Sequence, residues 1–242
     1  MADRAGWSAT HLGPEGYRQW RASTLGRITE QLEQNLVLEL LGNLRGQKVL
    51  EIGSGDGTLA VTLAERGASI VGLDASRPML DAAAARVTMA NADVALCRGL
   101  AEALPFADDA FDAVVAVTIL CFVDDAEGTF KEIGRVLRPG GRLVIGELGR
   151  WSTWAAARRT RGWLGSRLWR HGHFRTAGEL RRLAAAAGLE SRLVRGAVYY
   201  PRATMAARCL SGVDRLLGRL TTIGGAFIAM LAEKPKQGAC GK

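Results

Sequence analysis

The period of the apolar positions changes near residue 47. Before it, Ile28, Leu32, Leu36 and Leu40 recur at helical spacing within Leu25 to Leu41. Residues 15–43 read as two helical pieces broken near Ser23-Thr24, with Gly42 and Gly46 bracketing the end. After residue 47, short apolar runs alternate with helical stretches. Lys48 to Ile52, Ser69 to Asp74, Val94 to Cys97, Phe111 to Val117 and Arg142 to Leu148 read as strands. Thr58 to Arg66, Arg77 to Ala90 and Ala126 to Leu137 read as the helices between them, the last stopped by Arg138-Pro139-Gly140-Gly141. Strands separated by helices of this length predict a parallel sheet with right-handed crossovers.

Beyond residue 148 the alternation loosens. Residues 151–170 predict a basic, tryptophan-rich helical segment. Thr176 to Ala187 predicts a helix with Thr176 as N-cap and Gly188 after its end. Leu189 to Tyr199 and Gly225 to Leu231 predict strands, Ala203 to Leu220 a helix, and Pro235 onward a tail. With no repeat and no low-complexity linker, 1–242 predicts one domain. Within it lie an N-terminal helical part (1–45), a core (46–148), a lid or insertion (149–175) and a C-terminal part of the sheet (176–234).

Composition adds three constraints. At 242 residues and 48% hydrophobic residues the chain can bury a sizeable core. No uncharged apolar stretch reaches the ~18 residues of a membrane span, and Met1 to Trp7 lacks the apolar run of a signal peptide. Cys97, Cys121, Cys209 and Cys240 are scattered, and no pair has metal-ligand or redox spacing. They read as reduced thiols of a cytosolic protein with no metal site. The net charge of +8 is uneven, because residues 150–182 set many arginines against one acid, Glu179. That run suits an acidic partner as well as it suits a solvated face.

The chemistry-bearing stretch is Glu51-Ile-Gly53-Ser-Gly55-Asp-Gly57-Thr58, between the first strand and its helix. Glycines let the backbone turn sharply and approach a ligand, and the helix start favours an anionic group. Asp74 ends the next strand, 17 residues past Gly57, where a carboxylate can accept both hydroxyls of a ribose. A dinucleotide loop needs G-x-G-x-x-G. Here Thr58 holds the third glycine position and Gly57 comes one residue early, which argues against an NAD-dependent oxidoreductase.

Four segments in order carry a resemblance: Val49-Leu-Glu-Ile-Gly-Ser-Gly-Asp-Gly57, Val71-Gly-Leu-Asp-Ala-Ser-Arg-Pro-Met-Leu80, Ala101-Glu-Ala-Leu-Pro-Phe-Ala-Asp-Asp-Ala-Phe-Asp112 and Arg135-Val-Leu-Arg-Pro-Gly-Gly-Arg-Leu143. Residues 47–148 resemble the class I S-adenosylmethionine (SAM)-dependent methyltransferases, in particular the ubiquinone/menaquinone C-methyltransferase-like (methyltransferase type 11) group. The resemblance is weaker at Tyr17-x-x-Trp20 and at Phe174 to Leu180. It implies a Rossmann-like, doubly wound, mainly parallel seven-stranded sheet of order 3-2-1-4-5-7-6. Strand 7 is antiparallel, and helices cover both faces. It also implies SAM as cofactor. Gly53, Ser54 and Gly55 would line its methionine part, Glu51 would order the loop and reach the amino group, and Asp74 would hold the ribose. Ala75 and Met79 would flank the adenine, the Ala101 backbone would face its edge, and Val117 and Thr118 would pass beneath the methyl. Tyr17 and Trp20 would form a cap over the cofactor. Leu100 departs from relatives that have Asp there. Leucine cannot accept from the adenine amino group, so either Glu102 compensates or packing and backbone hold the ring. One such hydrogen bond is worth about 0.5–1.5 kcal/mol.

Methyl transfer from a sulfonium needs alignment and exclusion of water, and a base only where the acceptor must lose a proton. If a base acts, the candidates are Glu147 at the end of strand five and His173, with His171, before the Thr176 helix; His11 is discounted. Thr118, Cys121 and Phe122 follow strand four. The stretch Trp151 to Arg170 suits a lid whose Trp154 or Trp163 faces the cleft and whose arginines face solvent. It also suits peripheral contact with a membrane or a single-stranded nucleic acid. The lid is favoured because a pocket needs cover, and no separate RNA-binding module is visible. The expected activity is methyl transfer from SAM to a small-molecule acceptor with hydrophobic or aromatic character. The alternatives are a non-catalytic SAM-binding or interaction module, and a methyltransferase acting at a membrane surface on a lipid-like substrate.

Overall fold

The computed structural model describes residues 13–170 and 172–236; His11, His171 and Cys240 lie outside them. Seven strands form one sheet: β1 (Lys48–Ile52), β2 (Ser69–Asp74), β3 (Val94–Arg98), β4 (Phe111–Val117), β5 (Leu137–Leu148), β6 (Glu190–Ala197) and β7 (Phe227–Glu233). Their order is β3-β2-β1-β4-β5-β7-β6. β1 to β5 pair in parallel, and β7 runs antiparallel between β5 and β6. The order reverses between β1 and β4. At such a switch point two loops diverge and leave a crevice at the carboxyl ends of the strands.

The central strands are apolar on both faces, as a covered parallel sheet requires. Alternate residues feed two cores. Leu50, Ile52, Val114, Ala116 and Ile145 meet Phe130 and Ile133 of α5 (Ala126–Val136) and Leu180 and Ala184 of α8 (Ala177–Ala186). Val49, Ile70, Ala113, Val115 and Val144 meet Val37, Leu40 and Leu41 of α2 (Thr24–Leu41) and Ala60 and Leu63 of α3 (Thr58–Glu65). Removing a fully buried ring such as Phe130 from this packing costs about 3–5 kcal/mol.

The N-terminal part is α1 (Pro14–Ala22) followed by α2. The break at Ser23 is a cap: its Oγ accepts from Gly26 N at 2.9 Å and satisfies one free amide of α2. Thr176 likewise caps α8, with Glu179 closing a capping box. α4 (Arg77–Ala90) follows β2, while α6 (Thr153–Trp163), α7 (Arg167–Arg170) and α9 (Thr204–Leu220) complete the helices.

One boundary differs from the sequence expectation. β5 begins at Leu137, before the Arg-Pro-Gly-Gly turn rather than after it. Leu137 pairs with Phe111 and Arg142 with Ala113, so residues 138–141 form a bulge inside the strand. Gly140 N donates to Lys234 O there at 2.8 Å, which keeps the turn attached to the sheet.

Candidate functional site

The crevice opens into a cavity of about 630 Å³. Its floor is the loop between β1 and α3. Gly53 N and Ser54 N both donate to Leu73 O, at 2.7 and 3.0 Å, clasping the exit of β1 to β2. Gly53 holds φ +73°, and a Cβ on it would stand 2.1 Å from Ile119 Cγ2, so glycine is required on two counts. Asp74, at the end of β2, accepts from Gly55 N and Ser76 N, each at 2.8 Å. These two amides fix the carboxylate at the cavity wall.

Two buried polar atoms on this floor have no partner, Glu51 Oε2 and Ser54 Oγ. Burial drives the Glu51 carboxyl well above its ordinary range, and the Asp74 and Asp56 charges add to it. Unsatisfied buried groups call for a ligand that completes them. The amino acid end of SAM, with an ammonium and a carboxylate, supplies a donor and an acceptor, so the residues present fit it.

Each residue assigned to the cofactor lines this cavity: Tyr17, Glu51, Gly53, Ser54, Gly55, Asp74, Ala75, Met79, Leu100, Ala101, Val117 and Thr118. Glu102, weighed as a substitute acceptor beside Leu100, lines it too. Thr118 sits at φ +53°, costly for a β-branched residue. Its amide donates to Gly146 O at 2.7 Å, and the next two amides are held by Glu147.

That arrangement corrects the first base candidate. Glu147 is fully buried and does not line the cavity. Its Oε1 accepts from Ile119 N at 3.1 Å and Leu120 N at 2.8 Å, which anchors the turn after β4. Burial pushes its carboxyl up to about 7, against those amides and the Arg175 charge. His173 is corrected likewise. It is exposed, off the cavity, and attached through its amide to Cys121 O at 3.0 Å. Cys121 is buried, and its Sγ donates to Thr118 O.

The opposite wall comes from α1 and α2, through Tyr17, Trp20, Arg21, Glu30, Glu33 and Gln34. Burial pushes the Tyr17 phenol up to about 12, so it remains neutral. Arg21 latches this wall to the floor: it pairs with Glu30 at 2.7 Å and with Asp56 of the glycine loop, which also pairs with Arg86 at 2.9 Å. Burial opposes ionisation of Asp56, but the two guanidinium groups hold it below its ordinary range. Glu33 has no hydrogen bond or ion pair among the described residues. Burial pushes it up to about 7, with Arg158 opposing. The sequence reading missed Arg21, Asp56 and Glu33. Only the position of Asp56 inside the glycine loop offered a signal.

The arginine–tryptophan segment divides. Trp154 is buried. Its Nε1 donates to Tyr200 O at 2.8 Å and its ring meets Trp20 edge-on at 6.0 Å, so it supports the α1 wall from behind. Trp151 and Trp163 are exposed. Against the expectation for a lid, Arg158 turns inward over the rings of Trp154 and Trp169, at 5.3 and 4.8 Å. Burial lowers its pKa to about 10.

Residues 50–145 match a family model described as a methyltransferase domain. Over 125 residues the chain is 38% identical to the methyltransferase GfsG of Streptomyces halstedii, covering 50% of this chain and 43% of that protein. It is 38% identical over 114 residues to a demethylmenaquinone methyltransferase of Renibacterium salmoninarum, covering 47% and 46%. These matches span less than half the length of either relative. Among solved structures, a SAM-dependent methyltransferase of Thermotoga maritima, described as a possible histamine N-methyltransferase, superposes with a TM-score of 0.70. It is 27% identical and covers 91% of this chain and 95% of that one. A SAM-dependent methyltransferase of Aquifex aeolicus, 15% identical with a TM-score of 0.65 and covering 93% and 100%, shares the fold. The matched domain and these neighbours indicate SAM as the cofactor.

Proposed function

From residues 50–145 as a methyltransferase domain, we propose that this chain transfers the methyl group of SAM to a small-molecule acceptor with a hydrophobic or aromatic face. The observation that carries this reading is continuity. One cavity joins the polar floor at Glu51, Ser54 and Asp74 to an apolar wall of Trp20, Ile119, Phe122 and Val123. The Renibacterium and Thermotoga proteins are named for different acceptors, so the acceptor is read from the wall and not from them.

When bound, SAM supplies an activated methyl group with its own leaving group. The chain's part is to hold and align. Gly53, Ser54 and Gly55 receive the methionine part, with Glu51 toward its amino group. Asp74 accepts from the ribose, and Ala75, Met79, Leu100 and Ala101 enclose the adenine. Val117 and Thr118 set the floor under the reacting centre. Tyr17 and Trp20 would close the site from α1, offering π-faces to the cationic sulfur and excluding water. For an acceptor that must lose a proton, Glu33 is the candidate on the α1–α2 wall, since Glu30 is paired with Arg21 and the Tyr17 phenol is pushed up to about 12.

Calorimetric titration with SAM and with NAD, followed by transfer of labelled methyl to a panel of hydrophobic and aromatic acceptors, tests the reading. SAM binding without NAD binding and label on an acceptor are expected. Absence of SAM binding overturns the proposal. SAM binding with no transfer to any acceptor favours the non-catalytic module.

A further inference from the structure

α9 is turned with its smallest side chains inward. Ala207, Asp214 and Gly218 are its buried residues. Gly218 lies on the β6 backbone, where a Cβ would stand 2.0 Å from Gly196 O. Asp214 accepts from Val198 N at 3.0 Å and Tyr199 N at 2.8 Å. Large apolar residues of the helix face the other way: Met205 is 69% exposed, Leu210 40%, Val213 47%, Leu216 61% and Leu220 75%. At about 100° per residue they fall within one arc of roughly 140°, the four most exposed within roughly 80°. The stripe continues past the helix. Ile223 is 71% exposed and Trp151 62%, joined by Gly224 N donating to Trp151 O at 2.8 Å.

The same turn of the wheel puts Arg208, Arg215 and Arg219 in a row along one flank of the stripe. Arg215 and Arg219 share a single acid, Glu39, at 3.0 and 3.8 Å, and Arg208 meets none among the described residues. Beside this row a second cavity of about 430 Å³ opens between α2, β6 and α9, lined by Arg66, Arg195, Arg215 and Arg219 against Glu39 and Asp214. The Asp214 carboxylate is already committed to two backbone amides. Arg195 Nε is buried there without a partner. Four guanidinium groups, one of them unsatisfied, form a receptor for a phosphate-like anion.

We infer that the outer face of α9, with the arginine pocket beside it, docks the protein on an anionic lipid bilayer. The stripe enters the acyl boundary and the arginines take the headgroup phosphates. Charge complementarity selects this occupant. A second copy, itself carrying +8, would bring like-charged rows together. No helix among the described residues is long and apolar enough to cross a membrane, so the contact is peripheral. The inference does not rest on methyl transfer, and it centres the membrane contact on α9, with Trp151 the one residue of the tryptophan segment that joins it and Trp154 in the core.

The test is flotation of the full chain with vesicles of phosphatidylcholine alone and of phosphatidylcholine with phosphatidylglycerol. The expected result is binding to the anionic vesicles only, weakened by salt. Val213→Ser with Leu216→Ser, and separately Arg66→Gln with Arg195→Gln, should each weaken it about tenfold or more. SAM affinity in the exposed pair Val213→Ser with Leu216→Ser reports that the protein is folded, so failure of this inference is distinct from failure of the methyltransferase reading. The inference is overturned by no wild-type binding, by equal binding to both vesicles, or by variants that bind as wild type does. It is also overturned by self-association that those variants abolish, or by tight binding of inorganic phosphate with no vesicle binding.

Discussion

At the β1–β2 end of the cavity, position is set by backbone. Amides of Gly53, Ser54, Gly55 and Ser76 are pinned to Leu73 O or Asp74, and the strands beneath are hydrogen-bonded on both sides. At the α1–α2 end, position is set by side chains. α1 has no buried residue and is held by Arg21 to Asp56 and by Trp20 against Trp154. In the proposed function the first end is the receptor for SAM, with its amides already held in place. The second can change its lining residues without disturbing the sheet, and in the proposed function it is the end that defines the acceptor.

The largest expected effect strikes the rigid end. Gly53→Ala places a methyl group against Ile119 at a positive φ. It should weaken SAM binding about a hundredfold, roughly 2.7 kcal/mol. Adding Ile119→Ala should restore only part, because the backbone strain remains. Calorimetry on the single and double variants measures both terms, and full restoration would show that the clash alone matters.

Asp74→Ala comes next. It removes a carboxylate already oriented by two amides, and with it the charge-assisted bonds that the proposed function gives it to the ribose. A tenfold loss of SAM affinity, about 1.4 kcal/mol, is expected. A change below about twofold would show that the rigid end does not read the ribose.

The smallest effect on SAM belongs to the adaptable end. Glu33→Gln should leave SAM affinity within about twofold while altering acceptor turnover and its pH profile. The groups acting on Glu33 are Arg158 of α6, Glu30 of α2 and Asp214 of α9, and Tyr17 of α1 feels the Glu33 charge in turn. Its carboxyl is raised from 4.5 to about 7. The stability it permits is therefore fully present below 4.5 and is lost as pH rises through about 7. Thermal unfolding of the ligand-free protein should show a midpoint that falls across that window, less steeply in Glu33→Gln. Some slope should survive in the variant, because Glu147 is also raised to about 7. Identical slopes would place Glu33 in solvent.

The same division governs what the sequence discloses. The glycine loop and Asp74 were legible because the floor is assembled from contiguous motifs at strand ends. Arg21 with Asp56 was not, nor was the Arg158 charge acting on Glu33, because each joins elements far apart in the chain. Glu147 was read as a strand-end acid. Alternation along β5 says that it faces one side, but not that the turn after β4 folds over that side and consumes it. For α9 the helical period was legible and the orientation was not. An amphipathic helix is expected to bury its apolar face, whereas here Gly218 and Asp214 take the inner side.

The insertion of β7 between β5 and β6 also imposes an order of events during synthesis. Among the described residues β6 has no sheet partner except β7, and the outer edge of β5 stays open until Phe227–Glu233 has been made. Translation of residues 149–226 at about 5–20 residues per second leaves that edge bare for on the order of ten seconds. Throughout that interval the outer edge of β5 at Leu143, Val144 and Ile145 lacks its β7 partner, a template for aggregation. The half of the sheet beneath the β1–α3 loop can close early, while this edge waits for its last partner to emerge from the ribosome.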